Sequence, residues 1–553
     1  MKKAFHLLTV NFLGQSPAWY KITIVSFLIL NPLLYYFVSP FVAGWVVLIE
    51  FIFSLACALK CYPLQPGGLL AIEAVAIGLT NSHTIYEEVL VNVPTLLLLI
   101  FMVSAIYFIK DVLFIAMTKL FLVFKKKHTL SLSFCLICAS LSAFLDALTL
   151  VAIAIAVCFH FYAVYHRVEK YSGNEKELEE FQGFLRNLII HGTVGTIIGG
   201  TMTMVGEPHN ILIGTKMGWS FMEFIVHCSP VSAPAAIAGF LVCFSVEYFR
   251  FPGFQYQMPE RARELILKDY TKKIHEMTGQ HCYDYIVQII VFIMLVLALA
   301  FHVAEVGLIG IALIIIVTAF TGLTKEHDLG VAFTNAMPFA VLIVVFFAIL
   351  GVVHAQHLIE PLANWVFTFS GKSQLIALYA INGSLSFVSD NVFIATIFIN
   401  EVETAYAGGI ISQMIHEIDL EAASTSGNIA QTITQYISSM PDINIAPDSG
   451  VMIQFIDEVD AACQSGTFSD LAAKYADKIV ISKEEYEKLA VVVNMGTNIP
   501  AMATPNGHAA LLFLLTSALA PLLSLSYFRM FKLTLPYTIA MTITGALAIY
   551  FFL

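Results

Sequence analysis

One acidic residue, Asp146, sits near the middle of the apolar stretch 129–165, and basic residues flank that stretch on both sides. Lys125, Lys126 and Lys127 precede it, and Arg167, Lys170, Lys176 and Arg186 follow it. Positive charge collects on the cytoplasmic side of membrane proteins, so both ends of the stretch are expected in the cytoplasm. A single crossing cannot return to the side it left. Two arms of about 17 residues can, joined by a turn at membrane depth that is buried in protein, and Asp146 falls at that turn. A carboxylate at the bilayer centre costs roughly 2.5 to 3.5 kcal/mol on translocon-insertion scales, so its retention points to movement of a cation or a proton.

The rest of the chain is that of a membrane protein. Apolar residues make up 58% and charged residues 12%, with a mean hydropathy of +0.82, against about a quarter charged in soluble domains. Runs at 22–38, 288–301 and 533–553 approach or reach the roughly 20 residues that cross a hydrocarbon core as a helix. Continuous apolarity without period-2 alternation excludes an outer-membrane barrel. The expected fold is therefore an all-α polytopic membrane protein. The first residues carry Lys2 and Lys3 but no small-residue cleavage site, so the N-terminus is expected to stay cytoplasmic. Cys135 and Cys138 form a CxxC in an apolar helix and read as packing residues.

Charge also orders the second half. Residues 401–490 hold 15 acidic and 4 basic residues while the remainder carries 24 of each sign, so the net charge of −11 belongs to this one segment. No Lys or Arg occurs from 401 to 473, which places the segment outside by the same rule. Its amphipathic pieces suggest a small helical cap, better read as a solvated insertion than as an antenna for cations. Arg250, Arg261, Arg263, Lys268, Lys272 and Lys273 mark an inner loop at 250–282, and Arg529 with Lys532 marks the last. Spans at 283–301, 306–322 and 335–354 then bring the chain out near 355. A hairpin at 373–400, built around Asp390 in LSFVSDNVFI, opens outward, and a broken span at 485–525 returns to Arg529. Two hairpins that open to opposite sides are the mark of inverted repeats around a midplane site.

A second pair of motifs follows the hairpins, GGTMTMVGEPHN at 199–210 and MGTNIPAMATPNGH at 495–508. Both are too rich in Gly, Thr, Pro and Asn for an unbroken helix. Unwound backbone offers free carbonyls and these side chains add neutral oxygens, a set suited to a small hard cation. The layout expected is scaffold spans at 1–128, including an interfacial helix at 112–124 after Lys110 and Asp111, and a first transport half at 129–217. Scaffold spans at 218–372, the second hairpin at 373–400, the acidic insertion at 401–484, the second broken helix at 485–525 and a final span at 526–553 complete it. Asp146, Ser142, Thr149, Thr201 and Asn210 are the candidate ion and proton ligands of the first half. Asp390, Ser386, Asn391, Thr497 and Asn498 are their counterparts in the second. Glu207 and His209 are candidates for proton relay or pH sensing, with structural hydrogen bonding as the other reading. Glu50 and Glu73, within or beside apolar stretches, read as structural. Asp146 can also cap the second arm, and the two roles are compatible.

These residues resemble a known family. SAFLDALT, GEPHN, VSDNVF and ATPNGHAALLFLLTSALAPL are similar to the NhaB-type sodium/proton antiporters, within a superfamily that includes arsenite pumps and sodium-dicarboxylate symporters. The similarity runs from residue 20 to 401 and resumes from about 482 to 540, so the segment between is expected to be extra to this chain. The resemblance implies scaffold and transport domains with two re-entrant hairpins, a homodimer and elevator-like movement. It also implies electrogenic exchange of Na+ or Li+ for H+ across the bacterial inner membrane, serving sodium extrusion and pH and salt homeostasis, with no resident cofactor. In the anion symporters the hairpin tips carry Ser-Asn-Thr triplets; here they are Leu145-Asp146-Ala147 and Ser389-Asp390-Asn391. Added negative charge repels a dicarboxylate and attracts a cation, which favours antiport over the alternatives of a sodium-coupled dicarboxylate symporter or an arsenite-type efflux permease. Neither HEMTG at 275–279 nor HEIDL at 416–420 supplies the second histidine of a metalloprotease helix, and no Walker motif occurs, so the chain is not expected to be an enzyme.

Overall fold

A computed structural model describes residues 11–57, 60–91, 93–169, 175–301, 303–358, 360–387, 391–418, 420, 428–439, 450–465, 467–476 and 481–553. All regular elements among them are helices. The N-terminal part holds α1 (Ala18–Phe37), α2 (Pro40–Ala56), α3 (Leu64–Ile77), α4 (Ser82–Val91), α5 (Val93–Tyr107) and α6 (Lys110–Val123). Next come α7 (Lys127–Ser142), α8 (Ala147–Glu169), α9 (Glu175–Met202), α10 (Pro208–Lys216), α11 (Phe221–Tyr248) and α12 (Glu260–His275). The middle is α13 (Gly279–Ala300), α14 (Val306–Thr321), α15 (Glu326–Ala355), α16 (Glu360–Phe367), α17 (Lys372–Ser386) and α18 (Asn391–Glu417). The acidic segment adds α19 (Ile429–Ser439), α20 (Gly450–Ser465) and α21 (Phe468–Ala476). Finally α22 (Lys483–Asn498), a 3-10 turn (Pro500–Ala503), α23 (Ala509–Thr516), α24 (Leu519–Leu522) and α25 (Tyr527–Phe552) close the chain.

Local chemistry fixes many of the ends. Ser39 accepts from the Val42 amide with Pro40 at the first helical position, and Gly78 ends α3 at φ +88°. Ser220 and Glu223 form a reciprocal capping box that opens α11. By length and composition α1, α8, α11, α13 and α25 can each cross a bilayer. The pair α5 and α6 bends by 61° at the two residues before Lys110.

Packing sorts the helices into two groups. In one, α5 lies between α14 and α15, and α15 also contacts α2, α3 and α4. In the other, α9 packs on α7 and α8, α11 packs on α25, and α17 and α18 both pack on α22. The tightest seam is α7 against α9, where a Cβ at Gly199 would stand 1.9 Å from the Ala139 carbonyl oxygen. Only glycine lets the two backbones meet there. Gly199→Ala should lower stability by about 1–3 kcal/mol or more, as overpacking does, read as a fall in the thermal midpoint of the purified protein. An unchanged midpoint would mean that the seam relaxes freely.

Several expectations change. Arg186, expected in a cytoplasmic loop, lies within α9, is 6% exposed and donates to the Leu523 carbonyl at 3.0 Å. The second arm after Asp146 is a 23-residue helix, not one of about 17, because apolar residues continue to Tyr165. The helix expected at 335–354 begins at Glu326 and runs through Pro338. The hairpin expected to finish at 400 has no end there, since α18 continues to Glu417. Val402, Tyr406, Ile410 and Met414 continue its buried face, so the first part of the acidic segment is packed, not solvated. Glu403 on that face is ion-paired with Lys216.

Candidate functional site

The turn between α7 and α8 is built by Asp146. Its Oδ2 accepts from the Thr149 amide at 3.1 Å and the Thr149 hydroxyl at 3.3 Å, the geometry of a helix cap. Asp146 is nonetheless only 6% exposed. The next residue ties the turn to a second break: the Ala147 amide donates to the Gly206 carbonyl at 3.2 Å, between α9 and α10. Gly206 cannot be larger, because a Cβ there would lie 2.3 Å from Gly200 Cα and 2.7 Å from the Ser142 carbonyl. Ser142 is the last residue of α7, buried, and its Oγ has no hydrogen-bond partner among the described residues.

The same arrangement recurs in the second half. Ser386 ends α17 with its Oγ buried and unpartnered among the described residues, and a Cβ at Gly507 would lie 2.4 Å from its carbonyl. Thr504 ties that turn by donating to the Phe387 carbonyl at 2.7 Å and accepting from the Gly507 amide at 3.0 Å. Asn391 opens α18 fully buried, with neither side-chain amide atom partnered among the described residues. Orphaned buried oxygens of this kind are where a bound cation would find ligands. Asp390 and Ser389 lie outside the described residues.

The two breaks meet face to face. Asn210 on α10 donates to the carbonyls of Gly200 and Thr203, each at 2.7 Å, and accepts from Asn498 of α22 at 3.3 Å. Asn498 also contacts Asn494 Oδ1 at 2.7 Å, and Asn494 in turn donates to the Thr201 carbonyl at 3.3 Å. Glu207, at the N-cap position of α10, has Oε1 3.3 Å from His508 Nε2. His209 faces His508 and Asn498. The hydroxyls of Thr201 and Thr497 are spent on their own helices, bonding the Ile197 and Val493 carbonyls at 2.7 Å. Asp146 and Thr149 thus bond to each other at the turn that Ser142 leads into, and Thr201, Asn210, Glu207, His209, Thr497 and Asn498 line or flank the seam between the breaks.

Two members of that seam were not among the candidates, Asn494, just before the second motif, and His508, its last residue. Their signals were present: Asn494 lies one helical turn before Asn498, and His508 directly follows Gly507, while His209 comes three residues after Gly206. Glu50 and Glu73 sit in the other packing group, where Asn31 donates to both carboxylates at 2.8 Å. The site's donors are oxygens and imidazoles, and no group of three or more His, Cys, Asp or Glu able to hold a metal ion occurs among the described residues. Carboxylate, amide and carbonyl oxygens suit a hard alkali cation better than a soft metal.

Comparison with known proteins gives this geometry its context. The family model described as Bacterial Na+/H+ antiporter B (NhaB) matches residues 1–439 and 450–553. A Na(+)/H(+) antiporter NhaB of Yersinia enterocolitica is 45% identical over 558 residues, covering 98% of this chain and 93% of that protein. Namesakes from Pectobacterium carotovorum and Escherichia coli are each 44% identical, covering 98% of this chain and 93% and 94% of their own lengths. The match runs through most of 401–484, so the acidic segment is shared with the family and is not an insertion peculiar to this chain. A match that covers both breaks and the helices that hold them leads to one conclusion: the chain belongs to the NhaB family of bacterial Na+/H+ antiporters.

Proposed function

We propose that this protein is a secondary transporter that exchanges Na+, or Li+, for H+ across the bacterial inner membrane. The observation that carries the reading is Asp146, a buried carboxyl at a break between apolar helices and bonded through Ala147 to a second break. Relatives named Na(+)/H(+) antiporter NhaB over 98% of the chain support the choice of ions and give no support to a dicarboxylate symporter or an arsenite permease.

The mechanism follows from competition for one carboxyl. Asp146 binds Na+ or H+, with Ser142 and Thr149 as neighbouring oxygens, and the empty, ionised carboxylate is too costly to carry across. Asp390 plays the same part in the second half with Ser386 and Asn391. Asn210, Asn498, Thr201 and Thr497 hold the two breaks together, and the Glu207–His508 pair with His209 offers a proton relay between the halves. The paired turns at Gly206 and Gly507 support two re-entrant hairpins related as inverted repeats. The two packing groups support a scaffold, α1–α5 with α13–α15, and a transport domain, α7–α11 with α17, α18 and α22–α25. The N-terminus is cytoplasmic, the C-terminus and 401–484 periplasmic, and the protein works as a homodimer.

Inverted vesicles containing the protein, loaded with a pH-sensitive dye and acidified by respiration, should dequench on addition of Na+ and Li+ but not K+. Sodium-stimulated uptake of a labelled dicarboxylate, with no dequenching, would overturn the assignment in favour of the symporter.

A further inference from the structure

Away from the ion path, a cavity of about 360 Å³ opens where α5 bends into α6 and meets the ends of α13, α14 and α15. Its polar wall carries Lys110, Asp111, Asp284, Asp328 and Gln288, with Tyr107 and Tyr285 among its rings. None of the four charged residues is ion-paired among the described residues, although Lys110 Nζ sits 3.5 Å from the Tyr107 ring centroid. Among the described residues Asp284 accepts only from Gln280, at 3.0 Å. Gln288, which lines the cavity, is 6% exposed and uses Oε1 to accept the Val112 amide at 3.2 Å, while its Nε2 has no hydrogen-bond partner among the described residues. That amide and the lysine are donors open to an acceptor, and the three carboxylates lack a cationic partner among the described residues.

We propose that this pocket binds the headgroup of a phospholipid carrying a primary ammonium beside its phosphate, a phosphatidylethanolamine. The phosphate meets Lys110 Nζ and Gln288 Nε2, and the ammonium gives its N–H bonds to Asp111, Asp284 and Asp328. Three carboxylates against one lysine repel an anionic headgroup, and a choline has no N–H to donate. Position agrees with chemistry. The pocket lies at the first turns of α13, a membrane-length helix, and tyrosines favour that depth. On the same helix Ile286, Ile289, Ile293 and Leu297 are exposed, an apolar surface open to acyl chains that a free headgroup molecule would not use.

Native mass spectrometry of the delipidated full-length protein tests this with phosphatidylethanolamine, phosphatidylcholine and phosphatidylglycerol of identical chains. The ethanolamine lipid should be retained about tenfold over the other two, the worth of one charge-assisted hydrogen bond. The D284N/D328N variant should lower its retention to the choline level. Equal retention of the ethanolamine and choline lipids by the wild type overturns the proposal whether or not the variant folds. So does unchanged retention by a folded variant, or displacement of the lipid by an equal concentration of soluble glycerophosphoethanolamine, which would assign the pocket to a free metabolite.

Discussion

Asp146→Asn should reduce Na+-driven dequenching in inverted vesicles to the level of vesicles without the protein, while the variant is made and extracted in normal amount. The two halves of that expectation have separate causes. Asparagine keeps a side-chain oxygen where Oδ2 accepts from the Thr149 amide and hydroxyl, so the cap of α8 survives. What disappears is the charge. A neutral amide neither binds a proton nor balances a sodium ion in a buried turn, so the exchange cycle loses its carrier in the first half, and Asp390 alone does not complete it. Asp146→Ala removes the cap as well, and should cost a further ~1 kcal/mol of stability with no further loss of transport. Normal exchange by Asp146→Asn at wild-type abundance would take this residue out of the mechanism.

The largest loss of stability is expected from Glu247→Leu. Glu247, in the last turn of α11, has a fully buried side chain whose Oε2 is 2.6 Å from Lys127 Nζ and whose Oε1 is 2.7 Å from His191 Nε2. His191 Nδ1 is 2.5 Å from the Tyr537 hydroxyl, and Lys127 also donates to the Phe254 carbonyl at 2.6 Å. One carboxylate therefore joins α7, α9 and α11, with α25 linked through the imidazole. Removing it leaves a half-buried lysine and a fully buried histidine without their counter-charge, which costs about 3–5 kcal/mol. Glu247→Gln keeps acceptors for both and should lose less. The measurement is the thermal midpoint of the purified variants; if Glu247→Leu melts with the wild type, water reaches this network and its burial is not real.

Neither residue of that network's core could be picked out along the chain. Glu247 stands three residues before Arg250 and reads as an ordinary acid at a membrane boundary, and His191 reads as a lone polar residue in an apolar helix. Their partnership spans 56 positions, and Lys127 lies 120 before the glutamate, so no spacing rule connects them. Asp146 was legible for the opposite reason, because a carboxylate within apolar sequence is anomalous locally. Asn210 and Asn498 were legible as members of motifs that break helices, yet not as a contact, since 288 residues separate them. The failure at Arg186 is instructive. A cation near a cluster of others resembles a loop marker, and only the carbonyl of Leu523 and the ring of Tyr256 explain its burial in a helix.

Apolar content, the two broken motifs and one acid in a hydrophobic stretch were enough to set a helical membrane protein, the positions where its helices fail and the ion chemistry to expect there. Those are local properties, fixed by the cost of placing backbone and charge in hydrocarbon. Which breaks touch, which histidine meets Glu207, and where the acidic segment stops being packed were decided by the tertiary structure. Such contacts join residues hundreds of positions apart through glycine-thin seams, and their energies exist only once those helices are brought together.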